Sequence, residues 1–214
     1  MSKVIISFDL DGTLIRPEYN ELIWFREIAS LYAEKFGISF DEARQKIRKE
    51  YEKVGENDIR WYSLDYWLKY FGFKVTEKEI LEKYADKVEL YPEVIPALEL
   101  LRKTHTLVVA SAMSHSFIKV KLKKYHLSSY FKGIFSSLSD FGMIKKRKQF
   151  YQKMCQEMQI SPPDLIHIGD NYEADYLAPR EIGIKAFFLD RVNYRGSTDF
   201  YTVHNLEEFA RKII

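Results

Sequence analysis

The sequence predicts an α/β fold: a parallel sheet with helices on both faces, interrupted near its start by an all-helical insertion. Three observations carry this. Val4 to Phe8 is a short apolar, β-branched run, long enough for a buried strand and too short for a free helix. From about Pro17 to Val88 the chain reads as helices with no convincing strand. From Tyr91 onward, short apolar runs alternate with helical stretches, a pattern that folds as a parallel sheet covered on both sides. The chain has 214 residues, enough for one domain of ordinary size carrying a modest insertion.

The first run ends in Asp9-Leu10-Asp11-Gly12-Thr13. Side chains at i and i+2 of an extended chain point to the same side, so the strand delivers two carboxylates to its tip. Gly12 lets the backbone turn away at once. Two like charges that close raise one another's pKa or demand a cation.

In the insertion, Leu22, Phe25, Ile28, Ala29, Tyr32, Ala33 and Phe36 lie at helical spacing, and Gly37 fits the stop of a helix over 20–36. Ser39-Phe40-Asp41-Glu42 is a capping box opening a second helix to about Val54, and Gly55-Glu56-Asn57-Asp58 is turn chemistry. A third helix is expected over 61–71. Thr76-Glu77-Lys78-Glu79 opens a fourth, to about Val88. Trp24, Trp61 and Trp67 all fall in this block, as a small helical unit needs bulky side chains to make a core.

Beyond it, the expected order is helix 93–103, strand 106–110, helix 117–125, a weak strand 133–136, helix 148–158, strand 165–168, helix 173–182 and strand 184–189. A last helix is capped at Asn205. Right-handed crossovers put the C-terminal ends of the strands along one rim, where ligands bind in such sheets. Four groups of polar residues fall at that rim: Asp9 and Asp11; Ser111-Ala112; the basic run Lys145-Lys146-Arg147-Lys148; and Gly169-Asp170 followed by Asp175.

In order and spacing, these resemble the four motifs of the haloacid dehalogenase superfamily, and the resemblance covers the whole chain. It implies a Rossmann-like core over residues 1–15 and 90–214, with a helical cap over 16–89. The family pattern counted back from Gly169-Asp170 lands on Lys145 rather than Lys146; the proline that often follows the lysine is absent. Four acids at one rim repel by an amount on the order of several kcal/mol at an effective dielectric of about 20. A hard cation relieves this, and an all-oxygen donor set favours Mg²⁺.

The resemblance further implies a phosphoric monoester hydrolase acting on a small phosphorylated metabolite. Asp9 is the expected nucleophile, forming an aspartyl phosphate. Asp11 is the expected acid and base. Ser111 and Lys145 are expected to hold the phosphoryl group, with Ala112 beside them. Mg²⁺ is expected on Asp9, Asp11 (through its carbonyl) and Asp170, with Asp175 as a further metal-site acid that orients the lysine or a metal-bound water. His167, inside an apolar strand, reads as core, and His115 as a candidate to line the pocket. In the cap, the turn 54–62 is the candidate selector, with Arg60 and Trp61 contacting substrate. A sugar phosphomutase shares every core residue. A 2-haloacid dehalogenase lacks the second acid of the first motif, which this chain has. A phosphonate hydrolase needs a cap lysine for which no pattern stands out, and a non-catalytic module would be expected to lose Asp9 or Asp170.

The near-balanced net charge of +2 argues for neither nucleic acid nor an acidic membrane as partner. Cys155 is the single cysteine, so no intrachain disulfide is expected and a cytoplasmic location fits. A strand starting at Lys3 or Val4 leaves no room for a signal peptide, and no apolar run approaches the roughly 20 residues that span a bilayer. A monomer or homodimer is expected.

Overall fold

The computed structural model describes residues 4–196 and 199–214. Six strands form one sheet: β1 (Ile5–Phe8), β2 (Thr106–Ser111), β3 (Gly133–Ser136), β4 (Leu165–Gly169), β5 (Lys185–Leu189) and β6 (Thr202–Val203). Their order is β3-β2-β1-β4-β5-β6 and every pairing is parallel. This is the predicted Rossmann-like α/β class. β1 starts at Ile5; Lys3 lies outside the described residues. β6 escaped sequence reading because two residues carry no periodicity.

β1 sits where the strand order reverses, with β2 on one side and β4 on the other. Phe8 is in register with Val109 of β2 and Ile168 of β4. The next residues along, Asp9, Ala110 and Gly169, are therefore level, and Ser111 and Asp170 follow one residue further out. That crevice is the topological switch point at which open α/β sheets bind ligands.

Both faces are covered. On one, Phe117, Ile118, Leu122, Leu98 and Phe209 pack over Ile6 and Phe8. On the other, Phe150, Tyr151, Met154 and Cys155 pack with Leu165, Ala178 and Ile184. The first cluster continues into the insertion, taking in Tyr19, Ile23, Ile47, Trp67 and Ile80.

The insertion between β1 and β2 contains no strand among the described residues. Its first helical stretch runs from Glu18 to Phe36, with a π turn over Leu22–Glu27 that amphipathic spacing does not reveal. Gly37 ends it in the left-handed conformation, φ +62°. Both capping boxes form: Ser39 with Glu42 opens Phe40–Val54, and Thr76 with Glu79 opens Glu77–Lys83. The expected 61–71 helix is instead a 3₁₀ turn, Ile59–Tyr62, followed by a helix over Leu64–Tyr70. Ser63 divides them, because its hydroxyl accepts the Tyr66 N–H at 3.1 Å and caps a new start. Trp67 is fully buried, and its indole N–H donates to the Trp61 carbonyl at 3.1 Å.

Ser39→Ala should cost about 1 kcal/mol, the usual loss of an N-cap. Trp67→Ala should cost about 3–5 kcal/mol, because it empties a large buried site. Urea denaturation followed by circular dichroism measures both. Equal losses would place the weight of the insertion on its caps instead of its core.

Candidate active site

The rim is organised by a lysine. The ammonium of Lys146, a residue that is 4% exposed, donates to Asp9 Oδ1, to Asp175 Oδ1 at 2.5 Å and to the Ala110 carbonyl at 3.1 Å. Three donors meet three acceptors, so the buried cation is fully satisfied. Burial opposes its charge, but Asp175 and Asp9 outweigh that and hold its pKa above the ordinary lysine value.

The expectation of Lys145 at this station is corrected. Lys145 lines the adjoining cavity, and no contact ties its ammonium to Asp9 or Asp175 among the described residues. Adjacent residues just before a helix point different ways, and here the Arg147 N–H donates to the Lys145 carbonyl at 3.0 Å across a tight turn, with the Lys146 ammonium on the inner side. In a run of four basic residues, spacing alone does not choose the inward one.

Asp175 is the hub of a buried network. Besides Lys146, its Oδ1 lies 3.0 Å from His167 Nε2, and its Oδ2 accepts the Asn171 N–H at 3.1 Å. Burial would raise its pKa, but Lys146 and then His167 drive it below the usual carboxylate range. His167 is core by position, as expected, yet it is wired to the site. Its Nδ1 lies 2.7 Å from Ser7 Oγ, its in-register partner on β1. Burial lowers its pKa and so favours the neutral ring, in which an Nε2 proton would go to the acceptor-only carboxylate and Nδ1 would face the Ser7 hydroxyl. The Tyr151 hydroxyl closes the ring of contacts, donating to the Ala174 carbonyl at 2.8 Å.

Asp9 and Asp170 are less compensated. Burial lifts the Asp9 pKa well above its ordinary value; Lys146 opposes this, and Asp175 and Asp170 add to it. Asp170, at the mouth, is pushed up to about 6 by burial and then by Asp175. Two glycines permit this crowding. Gly12 has φ +79°, and a Cβ there would lie 2.1 Å from Asp170 Oδ2. A Cβ on Gly169 would lie 2.4 Å from Asp175 Cγ.

The donor set suits a hard cation. One oxygen each from Asp9, Asp170 and Asp175 lies within 4.8 Å of the others. Burial and then the neighbouring carboxylates oppose the charged forms of Asp9 and Asp170, and a divalent ion held between them would favour those forms. Asp175 already has Lys146, His167 and Asn171 as partners, so Asp9 and Asp170 are the carboxylates left to bind it.

The remaining predicted residues separate into two groups. Asp11 faces the cavity, as do Ala112 and Lys145. Ser111 is buried at the end of β2, its Oγ accepting the Met113 N–H at 3.1 Å. Arg60 and Trp61 do not reach the rim. Arg60 is held by Asp58 through two bonds at 3.0 and 2.7 Å. Trp61 faces a second cavity inside the insertion, with Trp24 and Tyr51. The insertion residue on the catalytic cavity, a cleft of about 910 Å³, is Tyr62. Consecutive side chains of a 3₁₀ turn lie a third of a turn apart, which sends Trp61 and Tyr62 to different cavities. His115 pairs with Asp140 at 2.6 Å and is not among the residues lining the catalytic cavity.

Sequence reading also missed Arg191. From the loop after β5 it donates to the carbonyls of Gly12 at 3.0 Å and Thr13 at 2.6 Å, and so fixes the turn that carries Asp11. No sequence pattern marks it.

Residues 4–183 match the family profile of the haloacid dehalogenase-like hydrolases. The chain belongs to that family. It is 24% identical over 182 residues to the GMP/IMP nucleotidase YrfG of Escherichia coli, spanning 84% of this chain and 79% of that protein. It superposes on the HAD phosphatase from Thermococcus onnurineus with a TM-score of 0.83 and 25% identity, covering 100% of this chain and 98% of the other. The L-2-haloacid dehalogenase of Xanthobacter autotrophicus shares the fold at a TM-score of 0.63 and 14% identity, covering 100% of this chain and 98% of that one.

Lys146→Met should lower turnover by about 100-fold or more, the usual cost of removing a preorganised charge donor. Lys145→Met should cost less than about 5-fold. Steady-state kinetics on a phosphate ester compares them, and the reverse ranking would return the station to Lys145.

Proposed function

We propose that this hydrolase is a Mg²⁺-dependent phosphatase of small phosphorylated metabolites, working through an aspartyl phosphate on Asp9. The observation that supports it best is the Asp9–Lys146–Asp175 contact. A buried nucleophile carboxylate has one oxygen held by an ammonium and the other left for attack.

The chain's own groups divide the work. Asp9 Oδ2 attacks phosphorus as the bond to the leaving oxygen breaks, and Asp11 supplies that oxygen with a proton. Water then attacks the aspartyl phosphate, Asp11 takes the proton, and inorganic phosphate departs. Lys146 holds Asp9 in place and offsets charge gathering on the phosphoryl oxygens. Ser111 and Ala112, at the end of β2, stand where a phosphate oxygen would be received. Mg²⁺ on Asp9, Asp170 and the Asp11 carbonyl would shield the nucleophile from the negative charge of its substrate.

Nucleoside monophosphates are the first substrates to test, because YrfG is a GMP/IMP nucleotidase. The substrate is a small soluble ester on this reading. No helix among the described residues is long and apolar enough to cross a membrane. Residues 16–89 are read as a cap that closes over the cleft, hinging near 15–18 and 89–92, with Tyr62 as its contact to the leaving group.

A panel of phosphorylated metabolites assayed with Mg²⁺ should release inorganic phosphate, and both EDTA and Asp9→Asn should abolish release. Undiminished activity in either case would sink the mechanism, and an isomerised sugar phosphate as product would make the chain a mutase. Tyr62→Ala should lower kcat/KM for the best metabolite by about 10-fold or more while sparing a small aryl phosphate, which draws little binding energy from the cap. Arg60→Ala should affect neither. A larger effect at Arg60 than at Tyr62 would restore Arg60 as the selector.

A further inference from the structure

Lys121 lies outside all four groups of rim residues. It belongs to the His115–Lys124 helix, whose other lysines, Lys119, Lys123 and Lys124, reach solvent to differing degrees. Lys121 is fully buried. Its ammonium donates to Asp11 Oδ1, and it lies 5.7 Å from the centre of the Tyr19 ring and 5.6 Å from that of Phe117. A lysine carried into such a place loses its hydration, and one carboxylate and two ring faces are what replace it.

The rings are themselves fixed. The Tyr19 hydroxyl donates to the Leu81 carbonyl at 2.8 Å, and Phe117 lies parallel to Trp24 at 6.0 Å. Tyr19 and Trp24 come from the insertion, and Phe117 from the sheet-covering helix, so the cage around Lys121 is completed where the two meet. On the other side of the ion pair, Asp11 Oδ2 is buried and has no hydrogen-bond partner. The two oxygens of Asp11 are thus made unequal by their surroundings. One is tied to a buried cation and the other is left without a partner, in a residue that itself lines the cleft.

We propose that Lys121 is the positioning residue for Asp11, fixing its carboxyl through Oδ1 so that Oδ2 alone exchanges a proton with the leaving oxygen. This rests on Asp11 being the acid and base of the reaction. During aspartyl phosphorylation the proton on Oδ2 passes to the ester oxygen as that oxygen leaves phosphorus and the Asp9 oxygen bonds to it. During hydrolysis a proton of the attacking water returns to Oδ2. Lys121 keeps its own protons throughout and touches neither substrate nor phosphorus. Without it, Asp11 would turn about its side-chain bonds, and proton delivery would lose its alignment while phosphate binding at Lys146 and Ser111 would not.

The test uses the full-length chain with Mg²⁺ and two esters, an alkyl phosphate whose leaving oxygen needs a proton and an aryl phosphate whose leaving group does not. Single-turnover release of the leaving group is measured for Asp11→Asn, Lys121→Met, Lys121→Arg and the double variant Asp11→Asn/Lys121→Met. Lys121→Met should slow the alkyl ester by about 10- to 100-fold and the aryl ester by less than about 3-fold, with KM little changed, since general-acid assistance is worth about 100-fold or more. In the Asp11→Asn background it should cost nothing further on the alkyl ester, because both changes remove one function. Lys121→Arg keeps the charge but moves the donor, and should show a smaller loss still confined to the alkyl ester; it reads the position even if the methionine variant does not fold. Equal loss on both esters in the Lys121 variants, or full additivity with Asp11→Asn, would overturn the assignment. If Asp11→Asn itself treats the two esters alike, Asp11 is not the acid, and the failure then belongs to that reading and is visible without any Lys121 variant.

Discussion

A single buried ammonium holds the catalytic rim together. Lys146 is shared between Asp9, from the end of β1, and Asp175, from the first turn after β4, with the Ala110 carbonyl of β2 as third acceptor. Three adjacent strands are thereby fastened at their C-terminal ends by one side chain. The arrangement is tolerable because every donor is used; a buried ammonium with a missing acceptor costs several kcal/mol. It also sorts the acids. Lys146 and His167 favour the charged form of Asp175, while burial opposes the charged forms of Asp9 and Asp170.

Much of the surrounding sequence can be understood as support for that contact. Ser7 and His167 face one another in the middle of the sheet, where apolar residues would pack as well. Their role is to carry a hydrogen-bond chain from β1 through the imidazole to Asp175. Gly12 and Gly169 are the places where a Cβ would strike the carboxyl groups of Asp170 and Asp175. Arg191 pins the Gly12–Thr13 turn from the loop after β5 and lies 3.5 Å over the Tyr91 ring, so it also ties that turn to the segment returning from the insertion. Several distant parts of the chain thus converge on one short turn.

The insertion adds a second layer. Its apolar interior is continuous with that of the sheet through Tyr19, Ile23 and Phe117, so the insertion and the sheet share one core. A swing of residues 16–89 would have to break the Tyr19 and Trp24 contacts with Phe117. Those are the contacts that shield Lys121, the partner of Asp11.

The sequence by itself determined the class of fold, the place of the insertion, both capping boxes and the acids at the strand ends. These follow from local rules: periodicity, cap chemistry, and the position of a residue relative to a strand terminus. Asp9, Asp11 and Asp170 were legible because they stand at or just past strand ends, and Asp175 because it falls in the first turn of the helical stretch that follows β4. Tertiary structure alone decided which lysine of Lys145 and Lys146 turns inward, that Tyr62 rather than Trp61 or Arg60 meets the cleft, and that Lys121 reaches Asp11 and Arg191 the Gly12–Thr13 turn. The π turns over Leu22–Glu27 and Tyr172–Leu177, the break at Ser63 and the two-residue β6 were likewise decided there. The reason is common to all of them. Each depends on the angle at which one short segment meets another far away in the chain, and a lysine or tyrosine has the same local sequence signature whether it points to water or to a buried carboxylate.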